Sequence, residues 1–268
     1  MIVGHGILLL LCAVVLSWST AAARSPLAVR AHAVEYLGSE GEMPANLWVP
    51  EGEGRLPGVL VLHTVAGPGP NLEAFARDLA GAGFVTMTPD LLSLHDFGPD
   101  GRTDHPLVLG DLRGALDHLA THPRVDPARI GVVGFSFGGR LAAWLAAEAP
   151  DRVRAAVVYY AIVSHQALAR PLAGRAARAT PLTDRVATIQ APVLIHHGEA
   201  DGNVPVAQAR LLHGALVTAG KPSTLYTYPD ADHLFNFSIG PDIRFHSEAA
   251  RLSWDRTLAF LSRHLGAH

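Results

Sequence analysis

The sequence predicts an α/β protein, a mostly parallel, doubly wound sheet with helices on both faces. Three observations predict it. Short apolar runs alternate along the chain with segments of helical length. Several of those runs are apolar throughout, as strands buried on both faces are. One of them, Ile130 to Phe135, ends in a glycine-flanked serine and passes directly into the helix-forming run Arg140-Leu-Ala-Ala-Trp-Leu-Ala-Ala147.

The elements follow in chain order. Val29 to Leu37 and Asn46 to Val49 read as an opening strand pair joined by the polar turn Gly38-Ser-Glu-Gly41. Glu51 to Pro57 is a loop, and Gly58-Val-Leu-Val-Leu-His63 is a buried strand. Asn71 to Ala82 is a helix ended by Gly83, and Phe84 to Asp90 is the next strand. Pro106 to His122 is a long helix closed by Pro123. Ala155 to Ala161, Pro192 to His197 and Ser223 to Tyr228 are further strands, and Val206 to Ala219 and Ile243 to His264 are helices. Ser164 to Thr188, rich in Ala and Arg with Pro171 and Pro181, reads as a cap or surface excursion.

Composition bounds the function. A chain of 268 residues, 49% hydrophobic and 17% charged, suits one α/β domain, expected over residues 24–268. A formal charge of −3, with Lys221 the only lysine, gives no electrostatic footprint for nucleic acid. Residues 1–23 carry no Asp, Glu, Lys or Arg. The apolar run Ile7 to Leu16 is short for a bilayer span, and Ala21-Ala-Ala23 after it fits a signal-peptidase site. The expectation is a signal peptide cleaved after Ala23, with a secreted or periplasmic product and no stable membrane partner. The alternative is an N-terminal anchor, given the missing basic segment. Cys12 is the only cysteine, so a mature chain has no thiol chemistry.

The serine turn reads Gly134-Phe135-Ser136-Phe137-Gly138. A nucleophile on so tight a strand-to-helix turn needs strained backbone and close approach, which glycine on either side permits. A serine hydroxyl also needs a base, and the base needs a third group to hold it. Two later loops at strand ends offer them in the order acid, then histidine. Gly198-Glu-Ala-Asp-Gly-Asn-Val-Pro205 offers Asp201, and Pro229-Asp-Ala-Asp-His-Leu-Phe235 offers His233. Glu199 is a rival acid set less deeply in its turn. Asp232 adjoins the histidine but should point away from it, and Asp230 suits its own turn. The expected oxyanion donors are the N–H of Phe137, after the nucleophile, and that of Val65, in the loop His63-Thr-Val-Ala-Gly-Pro-Gly-Pro70. Thr64, Tyr160 and Phe235 are candidate substrate-binding residues; Phe137 and Phe237 are further candidates for an apolar pocket wall, with core packing at least as apt for Tyr160 and Phe237.

Metal readings are weaker. His118 and His122 have helical i, i+4 spacing without an acidic third ligand, and His196 and His197 should face opposite sides of a strand. Neither a metal nor a cofactor is expected.

These residues together resemble the dienelactone hydrolase family of α/β-hydrolases. The resemblance runs from about Val34 to the C-terminal helix. It is carried by Leu56-Pro-Gly-Val-Leu-Val-Leu-His63, Phe84-Val-Thr-Met-Thr-Pro-Asp-Leu91, the run from Val125 to Gly139, Ala191-Pro-Val-Leu-Ile-His-His-Gly-Glu-Ala-Asp201, and Ala231-Asp-His-Leu-Phe235. It implies an α/β-hydrolase fold and a cofactor-free hydrolase of esters or lactones acting through an acyl-enzyme. It places nucleophile, acid and base on Ser136, Asp201 and His233, and the oxyanion donors on Phe137 and Val65. Two positions depart from the pattern. Members that open dienelactones carry a cysteine nucleophile and a glutamate after the strand-end histidine, where this chain has Ser136 and Thr64. A neutral hydroxyl cannot act as that base, so the reading is a serine esterase on a small-molecule ester. The alternatives are a peptidase or amidase of the prolyl-peptidase type, and a non-catalytic binding protein on the same scaffold. Oligomeric state and acyl and alcohol preference stay open.

Overall fold

A computed structural model describes residues 25–93, 106–164, 180–238 and 245–267. The expected signal segment, and residues 165–179 of the expected excursion, lie outside the described residues. The elements are β1 (Val29–Leu37), β2 (Glu42–Pro50), β3 (Leu56–Leu62), α1 (Pro70–Gly81), β4 (Val85–Pro89), α2 (Pro106–Thr121), β5 (Val125–Phe135), α3 (Phe137–Glu148), β6 (Val153–Tyr159), β7 (Val193–Gly198), α4 (Ala207–Thr218), β8 (Ser223–Tyr228) and α5 (Ser247–Leu265). Two short 3₁₀ turns, Leu182–Asp184 and Val186–Thr188, precede β7.

The strands form one sheet in the order β1-β2-β4-β3-β5-β6-β7-β8. β2 runs antiparallel to β1 and β4, and from β4 to β8 every pairing is parallel. This is the α/β-hydrolase architecture. Period-2 alternation divides the core into two layers. Leu60, Leu62, Val132 and Ile195 pack with α2, α3 and α4 on one face. Val59, Val61, Val133, Phe135 and Val157 pack with α1 and α5 on the other. The chain passes from β3 through α1 to β4 on one side, then crosses back through α2 to β5 on the other side of β3. A crevice opens beyond the strand C-termini at such a switch point.

Strand limits differ from expectation in two instructive places. β2 begins at Glu42, not Asn46, because all nine residues of β1 pair with it. Pro44 is tolerated because pairing with β4 starts only at Ala45. β5 begins at Val125, where Leu56 and Pro57 pair with Val125 and Asp126 before the register shifts at Gly58. α5 starts at Ser247, capped by the His246 imidazole, which accepts the Ala249 N–H at 3.2 Å. Gly266, left-handed at φ 69°, ends it. Among the described residues no helix is long and apolar enough to cross a membrane.

Candidate active site

From Ile130 on, β5 is a buried run paired in parallel with β3 and β6, so its last residue is delivered rigidly to the crevice. Ser136 leaves it at φ 54°, ψ −110°, a conformation that L residues avoid unless the surroundings impose it. Here they do. Its N–H donates to the Tyr159 carbonyl at 2.9 Å, and its carbonyl accepts from the Arg140 N–H at 3.1 Å. A Cβ on Gly134 would lie 1.9 Å from the Gly138 oxygen, and one on Gly138 would lie 2.3 Å from the Leu62 oxygen. The flanking glycines are thus demanded by contact, as the serine turn requires.

Zipper-like hydrogen bonds join the loops after β7 and β8. The Glu199 N–H donates to the Tyr228 carbonyl at 2.8 Å and the Ala200 N–H to the Ala231 carbonyl at 3.0 Å. This brings Asp201 and His233 together. His233 Nδ1 lies 2.7 Å from Asp201 Oδ2, and His233 Nε2 lies 3.0 Å from Ser136 Oγ. With the Nδ1 proton donated to the carboxylate, Nε2 is left to accept from the serine hydroxyl. Asp201 Oδ1 accepts the N–H groups of Asn203 at 3.0 Å and Val204 at 2.7 Å. Burial alone would raise the Asp201 pKa. Hydrogen bonds from His197, His233 and the Val204 amide outweigh it and bring the group down to about 2.

The rival acids have other partners. Glu199 is exposed and accepts from Thr227 Oγ1 at 2.6 Å. Asp232 turns its carboxylate to backbone, accepting the N–H of Gly202 at 3.0 Å and of His233 at 2.6 Å, and so clamps the two loops together. Asp230 sits at φ 58° in its own turn.

On the other side of the serine, the N–H of Phe137 opens α3. No described residue accepts it, and an unpaired donor at a helix start favours negative charge. The next N–H, of Gly138, donates to the His63 carbonyl at 3.0 Å and ties the serine turn to the end of β3. His63 is fully buried. Its Nδ1–H donates to the Thr64 carbonyl at 2.6 Å, and its Nε2 accepts the Leu91 N–H at 3.0 Å. Burial lowers its pKa and keeps the ring neutral, as this pairing needs. The loop beyond turns tightly, with the Gly67 N–H on the Thr64 carbonyl and the Ala66 N–H on the Thr64 hydroxyl. Val65 is 55% exposed at its tip, and no described residue accepts its N–H.

The candidate substrate residues separate. Thr64 lines a cleft of about 210 Å³ with Gly67, Asn71, Leu72 and Phe237. Tyr160 and Phe235 are both fully buried and offer a ligand no surface. They belong to the core, which corrects the expectation. Tyr160 stands edge-on to the His233 ring, with centroids 4.9 Å apart, and donates its hydroxyl to Asn236 Oδ1 at 2.7 Å. Arg140, also buried, donates to the carbonyls of Val163 and Thr180, each at 2.8 Å.

The neighbouring histidines of β7 do face opposite ways. His196 bonds Tyr228 and Thr257, and burial lowers its pKa to about 3. His197 points to the acid loop, with Nε2 at 2.7 Å from the Val204 carbonyl and 3.3 Å from Asp201 Oδ2. Sequence reasoning weighed His197 only as a metal ligand. Its position immediately before the acid loop, four residues ahead of Asp201, is the available signal. Among the described residues no group of three or more His, Cys, Asp or Glu is placed to hold a metal ion.

A sequence model of the dienelactone hydrolase family matches residues 43–265. The chain belongs to the dienelactone hydrolase family. It is a hydrolase of the lactone and ester type. A Salmonella typhimurium protein assigned as a carboxymethylenebutenolidase is 28% identical over 85% of this chain and 86% of its own length. A Bradyrhizobium protein assigned as a 2-oxo-3-(5-oxofuran-2-ylidene)propanoate lactonase is 31% identical over 85% of this chain and 93% of its own. Among solved structures, a dienelactone hydrolase assignment from Klebsiella pneumoniae superposes with a TM-score of 0.74 at 26% identity, covering 88% of this chain and 99% of that one.

Proposed function

We propose that this member of the dienelactone hydrolase family is a serine esterase cleaving neutral carboxylic esters, lactones included, through an acyl-enzyme. The observation that carries the reading is the unbroken chain from Ser136 Oγ through His233 to Asp201, mounted on a turn that holds the serine at positive φ. His233 takes the Ser136 proton as Oγ attacks the acyl carbon. Asp201, kept ionised, holds the ring in the Nδ1–H tautomer and stabilises the imidazolium. The N–H groups of Phe137 and Val65 receive the oxyanion. The imidazolium then protonates the leaving alkoxide, and the freed base activates water to release the acid.

The preference for neutral substrates rests on the loops. Among the described residues of 63–70, 198–205 and 229–238 there is no Lys or Arg to hold a substrate carboxylate. The guanidinium of Arg140 is turned to backbone carbonyls. Peptide or amide hydrolysis would use the same side chains, but nothing in the site favours it. Labelling by a fluorophosphonate probe tests the reading. The native chain should label and Ser136→Ala should not; label retained by the variant would remove Ser136 as nucleophile. Export with cleavage after Ala23 is a separate proposal, checked by N-terminal sequencing of the product outside the cytoplasm.

A further inference from the structure

We infer that His197 is a positioning residue for the proposed Ser136–His233–Asp201 chain, a second imidazole donor on Asp201 Oδ2 that weakens the hold of His233 on its proton. The inference rests on the catalytic reading above and adds a residue to it.

The geometry assigns the tautomer. His197 Nε2 faces two acceptors, the Val204 carbonyl at 2.7 Å and Asp201 Oδ2 at 3.3 Å. It therefore carries the hydrogen. Nδ1 is buried and has no hydrogen-bond partner in the protein, so nothing there would hold a second proton. The shorter contact anchors the ring on Val204, and from there it leans on the carboxylate. Val204 in turn donates its N–H to Asp201 Oδ1 at 2.7 Å. His197, Val204 and Asp201 thus close a small ring behind the acid, with both side chains fully shielded from solvent.

The consequence falls on one oxygen. Oδ2 is shared by the His233 Nδ1–H at 2.7 Å and the His197 Nε2–H at 3.3 Å. A second donor withdraws electron density from the acceptor and makes it a poorer partner for an imidazolium. His233 then releases its proton more readily and stays a free base to lower pH. A ring that only filled space could have been apolar. This one is polar, fully buried, and leaves one nitrogen unbonded, which native interiors rarely tolerate.

The titratable groups around the pair come from four elements. They are Asp201 in the loop after β7, His233 and Asp232 in the loop after β8, Tyr160 after β6, and Ser136 after β5. On α4, Arg210 is exposed and His213 is bonded to Ser223. Of these, His233 is the one whose ring bonds Asp201 directly.

The test is an NMR titration of His233 in the full-length chain, read beside the pH profile of kcat/KM on p-nitrophenyl butyrate. His197→Leu removes the donor, and His197→Gln keeps an amide N–H near the Nε2 position. In His197→Leu the His233 midpoint and the acid limb should rise together by about half a pH unit or more. In His197→Gln both should stay within about 0.2 of the native values. A folded His197→Leu with an unmoved His233 midpoint overturns the inference. If Leu does not fold, His197→Asn replaces it, since the shorter amide cannot reach Oδ2, and the same shift is expected. In the native chain ¹⁵N shifts should show a neutral His197 with its proton on Nε2, and the Nδ1–H tautomer would equally overturn it. Loss of ester turnover in the native chain would count against the proposed function instead, because the NMR titration reads the coupling without substrate.

Discussion

The Gly138 N–H donates to the His63 carbonyl at 3.0 Å, and through this bond the serine turn and the loop after β3 become one rigid piece. The ring of His63 also lies along that of Phe137, with centroids 6.1 Å apart and planes 28° apart. Backbone from two non-adjacent chain segments is thereby set on one side of Ser136, where both proposed oxyanion donors lie.

That contact leaves no room for a side chain. Gly138→Ala would put Cβ 2.3 Å from the Leu62 carbonyl and 2.5 Å from that of His63, both backbone atoms of a buried strand end. Overpacking against backbone cannot relax by rotamer change, so the variant should lose about 3 kcal/mol or more, or fail to fold. Gly214 in α4 is the control, since a Cβ there meets nothing within 4 Å. Gly214→Ala should be neutral or stabilising by up to about 1 kcal/mol. Urea unfolding of the two variants checks both, and comparable stabilities would refute the close-approach argument.

Two adjacent carboxylates should behave oppositely. Asp201→Asn replaces the acceptor of the His233 Nδ1–H with a group that can present an N–H there, inverting the tautomer. It should cost about 10³-fold or more in kcat. Asp232→Asn keeps an oxygen for the Gly202 and His233 amides and should cost less than about tenfold, whereas Asp232→Ala unclamps the loops and should cost more than Asn. Steady-state kinetics on one ester decides. A larger loss for Asp232→Asn than for Asp201→Asn would require the acid to be reassigned.

Much of this constellation is legible along the chain, for a physical reason. β8 runs over Ser223–Tyr228 as its apolar and β-branched pattern indicates. The order serine, acid, histidine follows from which loops leave the strand C-termini. What fails is information carried by packing across the sheet. The apolar pattern starts the strand at Ile130, yet Val125 and Asp126 are held in β5 by Leu56 and Pro57. Phe235 follows His233 by two residues and Tyr160 follows the strand end at Tyr159, so both look like pocket wall. Their burial is set by Phe135, Tyr159 and Tyr228, which surround them in space. His197 shows in sequence only by its place before the acid loop, because its partners depend on how the Asp201 loop curls back.

Acid should weaken the fold through histidines before carboxylates. The pKa of His196 is lowered to about 3 by burial, and that of His63 is lowered by the same cause. Below the ordinary histidine pKa of about 6.5 the unfolded chain binds protons that the folded chain refuses, so stability rises with pH and is lost as pH falls. For His196 the loss spans the interval from about 6.5 down to about 3, on the order of 1 kcal/mol per pH unit. Asp201, held at about 2, adds its own loss only as pH falls from about 4 towards that value. Urea midpoints at a series of pH values should therefore fall steadily from near neutrality. A midpoint flat down to about pH 4 would mean these rings accept protons in place.

Under the proposed function, substrate choice should turn on Thr64, where the family resemblance leads one to expect a glutamate. Its hydroxyl accepts the Ala66 N–H at 3.2 Å, so it shapes the loop that carries Val65 and offers no base. A thiol coupled to a carboxylate suits one anionic lactone, whereas a serine served by His233 alone is a general acyl acceptor limited by the shape of its cleft. The cleft of about 210 Å³ beside Thr64 is walled by Leu72 and Phe237, and its described lining residues include no charged side chain and none of Ser136, Asp201 and His233; a short neutral acyl group is the proposed occupant. p-Nitrophenyl acetate and butyrate should thus be turned over with higher kcat/KM than a dienelactone. Two measurements on one enzyme preparation decide it. A dienelactone preferred by tenfold, about 1.4 kcal/mol of transition-state stabilisation, would mean that the lactone chemistry does not depend on a carboxylate at the position of Thr64.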